Sequence, residues 1–140
     1  MAQANKPAKN TAIDPRHIVV GLLGDVLVEK RLLSEALPKR LARQSPDVRA
    51  RVQRLTILTL RVMDRADRML GPHLQKRPPE RVLNILRLGV AEICEGGAAH
   101  GVVNSCVEAT RTDFTTKNMS GLVNAILRKV AGEVDKWDKL

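Results

Sequence analysis

Arg51, Arg54, Arg61, Arg65 and Arg68 fall within about 100° of one another when the chain is wound at the helical step. A guanidinium carries a permanent charge and a rigid fork of donors, so a row of them can follow a phosphate backbone. Just upstream, Lys39, Arg40, Arg43, Arg49, Arg51 and Arg54 stand against Asp47 alone. The other reading is a solvated face on which Asp64 and Asp67 pair with some of these arginines. Both readings stand on the sequence. The net charge of +9 on 140 residues points to a polyanion, RNA or DNA, ahead of an acidic lipid surface. A charge kept only for solubility is the alternative. Phe114 and Trp137 are the only aromatic residues. Readers of single strands stack bases on aromatic platforms, so this chain is expected to contact phosphates and sugars, with base edges read by Arg, Lys or Asn.

Other reactive side chains are few. Cys94 and Cys106, with His100 between them, match no zinc spacing and are expected to be buried, reduced thiols of a cytoplasmic protein. Glu92 and Glu95 read as the end of a helix rather than an acid/base pair. Asn104 and Asn124 lie amid apolar residues and are expected to tie helix ends or loops. No triad, metal site or cofactor site is expected in this chain, and no apolar run approaches the roughly 20 residues of a membrane span.

These residues need helices to position them. Leu, Ala, Arg and Val abound while Tyr is absent, which favours an all-α protein of one domain. Residues 1–13 carry Lys6 and Lys9 without an acid and read as a disordered basic arm, or as a terminus with no role. Asp14-Pro15 starts a first helix, with Asp14 as cap. Gly21 and Gly24 inside it read as packing sites, since no strand precedes them to make a nucleotide loop. Ser34 is expected to cap a second helix through about Gln44, and Ser45-Pro46-Asp47 to open a third that runs unbroken to about Leu70. The central element is PERVLNILRLGVAEICE, Pro79–Glu95. Its apolar residues cover about half the helical circumference, so it is expected to be buried on several sides, with Gly89 admitting a neighbouring helix. Two more helices follow, at about Val102–Arg111 and Gly121–Val130. The domain is expected to span 14–134, with 135–140 a tail or the start of a linker.

Taken in order, RVLNILRLGVAEI, VVNSCVEAT and GLVNAILRKV resemble segments of the NusB family, and LTILTLRVMDRADRML is similar to the stretch before them. The resemblance covers about Asp14 to Val130. The Asn-Ala-Ile-Leu-Arg ending is closer to the NusB-like amino-terminal domain of the RsmB (Fmu/Sun) ribosomal RNA cytosine-C5 methyltransferases than to free-standing NusB. The resemblance implies a helical bundle of two packed helical subdomains that binds RNA. It places the family's first-helix arginine at Arg16, with Lys6 and Lys9 just upstream. Ser105 stands where the family has Glu, and the arginine cluster before the first helix is thin.

Two functions follow as expectations. One is the amino-terminal RNA-binding module of a 16S ribosomal RNA cytosine-C5 methyltransferase, whose S-adenosylmethionine domain would follow this chain. The other is an antitermination factor that binds nascent RNA with a ribosomal protein as partner. A helical protein-interaction domain without RNA is the third reading. No parallel sheet with a Gly-rich turn is legible, so this chain alone is not expected to be an enzyme. The residues expected to meet RNA are Lys6, Lys9, Arg16, Lys39, Arg40, Arg43, Arg51, Arg54, Arg61 and Arg65.

Overall fold

A computed structural model describes residues 14–140; the expected basic arm, with Lys6 and Lys9, lies outside them. The described residues form seven α-helices and no strand: α1 Pro15–Leu27, α2 Leu33–Leu41, α3 Pro46–Arg61, α4 Met63–Leu70, α5 Glu80–Cys94, α6 Ala99–Arg111 and α7 Ser120–Ala131. Helix α1 packs on α2 and α3, α6 packs on α7, and α5 touches α1, α3, α4, α6 and α7. Every residue of α5 from Val82 to Ile93 is buried, including Asn84, Arg87 and Glu92. That is the environment its wide apolar arc requires. A Cβ on Gly89 would lie 2.7 Å from Leu127 Cδ1 and 3.3 Å from Cys106 Sγ. The glycine is what lets α6 and α7 close on the central helix.

Local signals set most boundaries. The Asp14 side chain accepts the Arg16 N–H at 3.0 Å, and Ser45 Oγ accepts that of Val48 at 3.3 Å, so both expected caps form. Helix α5 stops at a left-handed Gly96, with the Gly97 N–H bonded to the Glu92 carbonyl at 2.7 Å. This is a glycine C-cap of the Schellman kind.

Four expectations are corrected. Ser34 does not cap α2, which begins at Leu33 after an extended Leu32. The end of α2 is closed instead by Arg49, whose guanidinium donates to the carbonyls of Leu41, Ala42 and Gln44. The long helix to Leu70 is interrupted at Val62, with φ −103° and ψ 12°, so α3 and α4 are separate. Helix α6 begins three residues early, at Ala99. Finally, the expected tail folds back as a 3-10 segment, Val134–Lys139, whose Trp137 is 2% exposed. An indole is too large and apolar to leave in water when a partner surface is in reach; here its Nε1–H donates to Glu95 at 2.7 Å. No described helix is long and apolar enough to cross a membrane.

Candidate nucleic-acid interface

Two of the expected RNA-binding arginines are engaged by carboxylates of the protein itself. Arg16, in the first turn of α1, donates through Nε (2.6 Å) and Nη2 (2.9 Å) to both oxygens of Glu92 on α5. The two side chains are 12% and 8% exposed. A bidentate, charge-assisted pair this deep joins two helices. Beside it, the Ser105 hydroxyl donates to Asp14. Burial pushes the Asp14 carboxyl up, but the hydrogen bonds from Ser105 and Arg16 outweigh it, and its pKa lies below the ordinary value.

Arg40 makes a second bidentate pair at the surface, its own side chain 43% exposed and only its partner buried. It runs from α2 across Gly21 and donates to both oxygens of Asp25 at 2.7 and 3.0 Å, with Arg31 adding a third bond at 3.2 Å. A Cβ on Gly21 would run into the Arg40 guanidinium, whereas one on Gly24 would meet nothing. Packing therefore explains Gly21 and not Gly24. The Arg40 hydrogen bond, stronger than the opposing effect of burial, holds the Asp25 carboxyl below its ordinary pKa.

The arginine row divides at the break. On α4, Arg65 lies over the Trp137 ring, 5.0 Å from its centroid, and Arg68 pairs with Asp64 at 2.9 Å. Asp67 does not serve the row; it receives Arg87 of α5 at 2.7 and 2.9 Å. On α3, by contrast, Arg51, Arg54 and Arg61 are exposed. Among the described residues they have no acidic partner within salt-bridge distance, and neither do the exposed Lys39 and Arg43 of the α2 end. Arg54 and Arg61 stand two turns apart on one side of a groove that also takes in Gln53, Ile57 and Glu95. At 1.5 Å per residue, Arg51 to Arg61 spans about 15 Å of helix axis. Such a strip presents cations that form no ion pair among the described residues, the groove's one acid, Glu95, accepting instead from Trp137, and a row of unpaired cations suits a phosphate chain.

The thiols are quiet. Burial pushes Cys106 up to about 12 and Cys94 up to about 11, so both stay protonated at neutral pH. Both are free. No cluster of three or more His, Cys, Asp or Glu side chains suited to a metal occurs among the described residues.

Sequence reading placed two amides wrongly. Asn104 is exposed and Asn124 half-buried, and both face a groove between α6 and α7 instead of tying loops within the core. The spacing held the signal: the buried residues of α6 are Val102, Val103, Cys106, Ala109 and Thr110, which leaves His100, Asn104 and Glu108 in step at i, i+4 on the other side. Phe114 was also missed as a surface feature, being 84% exposed.

A comparison with curated proteins returns no match. The model of the NusB family matches residues 13–132, nearly the whole of the helical bundle, and proteins of that family bind RNA. On that match and on its all-helical architecture, the chain belongs to the NusB family.

Proposed function

We propose that this chain is the amino-terminal RNA-binding module of a ribosomal RNA cytosine-C5 methyltransferase in the cytoplasm. The observation that carries the RNA half of this reading is the set of exposed cations at the α2 end and along α3, namely Lys39, Arg43, Arg51, Arg54 and Arg61, with no acidic partner among the described residues. The methyltransferase half rests on the Asn124-Ala125-Ile126-Leu127-Arg128 pattern. In this reading the module holds RNA, and the methyl donor, S-adenosylmethionine, belongs to a following domain. Neither Cys94 nor Cys106 serves as the nucleophile, since a thiol with a pKa near 11 or 12 supplies almost no thiolate at neutral pH. Arg16 acts here as a structural residue, because its donors toward Glu92 are already spent.

Family membership itself supports a second reading, an antitermination factor acting on nascent RNA with a ribosomal protein partner. The coding sequence beyond codon 140 separates the two: a continuing frame that encodes a parallel-sheet domain supports the first, and a stop codon the second. The RNA surface is tested by binding to single-stranded ribosomal RNA fragments across a salt series. Replacing Arg54 and Arg61 together by Gln should flatten the log–log salt slope by about 0.7 for each phosphate no longer neutralised. Unchanged affinity and slope would remove α3 from the interface.

A further inference from the structure

Residues Val134–Lys139 run back over α4 and α5 as a strap. Just before it, Glu133 is bonded to His73 Nε2 at 2.9 Å. Its anchor is Trp137, 2% exposed, which makes two polar contacts with different parts of one ring. The face of the indole lies under Arg65, 5.0 Å from centroid to guanidinium carbon. The edge donates from Nε1 to Glu95 Oε2 at 2.7 Å.

Glu95 caps the carboxyl end of α5 and lines the groove that also holds Arg54 and Arg61 of α3. Its backbone is held by its neighbours: Gly96 is left-handed, and the Gly97 N–H is bonded back to the Glu92 carbonyl at 2.7 Å. A carboxylate at the carboxyl end of a helix meets the negative pole of the helix dipole, so it gains from any donor within reach. Two kinds of donor border this one. The indole N–H is neutral, and a bond from it leaves the charge of the α3 strip intact. A guanidinium from across the groove would be neutralised by the same carboxylate. Glu95 takes the indole, and neither Arg54 nor Arg61 forms an ion pair among the described residues.

We propose that Trp137 is a positioning residue for the RNA surface: by holding Glu95 it keeps Arg54 and Arg61 free for phosphates. The ring face withdraws Arg65 from the cationic row, and the ring edge keeps the α3 members available. Displacing the strap therefore lowers the charge of the strip without touching an arginine. The inference rests on the RNA reading of α3 given above and adds to it a residue that carries no charge and need not touch RNA.

The test is a pair of substitutions and their combination, read by binding to single-stranded ribosomal RNA fragments across a salt series. Trp137→Phe keeps an aromatic ring and removes the N–H; Glu95→Gln, at an exposed position, removes the negative charge. Trp137→Phe is expected to bind about fivefold more weakly, the scale of one phosphate contact at about 0.1 M salt, and to flatten the log–log slope by about 0.7. Glu95→Gln alone is expected to bind at least as tightly as the wild type. The double variant is expected to bind as Glu95→Gln does, since no carboxylate is left to turn on the arginines. Trp137→Phe and the double variant share the same loss of packing, so their difference reports the Glu95 charge and not stability; circular dichroism at the binding temperature confirms that both are folded. A double variant as weak as Trp137→Phe would overturn the inference, and so would Trp137→Phe with wild-type affinity and slope. In either outcome a flattened slope in the Arg54→Gln/Arg61→Gln variant still upholds RNA binding through α3. An unchanged slope in that variant would end both readings.

Discussion

The arginines packed against α1, α4 and α5 and those exposed on α3 are the same residue in opposite surroundings. Arg16 and Arg87 each meet a carboxylate with two donors, and their side chains are 12% and 7% exposed. Arg51, Arg54 and Arg61 are exposed and form no ion pair among the described residues. The difference lies in where the acids are. Glu92 and Asp67 are placed by the fold beside buried or half-buried cations, and Asp64 goes to Arg68. That leaves α3 with Asp47 as its one acid, at the amino end, where it complements the helix dipole. A structural arginine is thus marked by bidentate closure, and one left available by its absence.

The largest effect should come from opening the closed set. Arg16→Ala leaves Glu92 buried and unpaired, which typically costs about 3–5 kcal/mol; urea unfolding of the two proteins measures it. A double variant with Glu92 also made apolar should recover part of the loss, since the stranded charge is gone. If Arg16→Ala were neutral for stability yet weakened RNA binding, the contrast between the two sets would collapse. On the open set, the same measurement on Arg54→Gln/Arg61→Gln should show no shift of the unfolding midpoint, with the whole effect appearing in the salt slope.

Acid titration sharpens the comparison further. The Asp25 carboxyl lies below its ordinary value of 3.8 because Arg40 bonds it. Its contribution is therefore present above pH 4 and is lost as pH falls through the lower folded value. Asp25→Asn should flatten that part of the stability profile, read as unfolding midpoint against pH. The smallest expected effect contrasts two glycines one turn apart. Gly24→Ala, facing open space, should gain up to about 1 kcal/mol of helix propensity. Gly21→Ala should gain less than Gly24→Ala by about 1 kcal/mol, because the new methyl displaces the Arg40 guanidinium from Asp25. Equal thermal shifts for the two would mean that the Arg40 clamp is worth nothing.

Much of this molecule is legible in its residues. Asp14-Pro15 and Ser45-Pro46 announce helix starts, Gly96-Gly97 a helix stop, and the arc from Val82 to Ile93 a helix packed on several sides. Caps and periodicity are local, so one dimension suffices to read them. The break at Val62 is different: no proline or glycine marks it, and the arginine row reads as continuous across it. Asn104 and Asn124 look like core amides because their sequence neighbours are apolar, yet a helix puts i and i+2 on different faces. The end segment reads as a charged tail until Trp137 is seen to find Glu95 and Arg65.

By itself the order of residues determined an all-helical bundle around one greasy rod, a strongly cationic character and membership of a family. The bundle follows from propensity, capping and apolar period, each of which acts over a few neighbours; the charge is a sum over side chains, and the family rests on a match over residues 13–132. Which arginines are spent and which are available was decided only in three dimensions. Arg16 and Glu92 are 76 positions apart, and Arg87 and Asp67 are 20 apart on different helices. A charge is silenced by whatever lies within about 4 Å of it, and only the packing of α1, α4 and α5 brings those carboxylates that close.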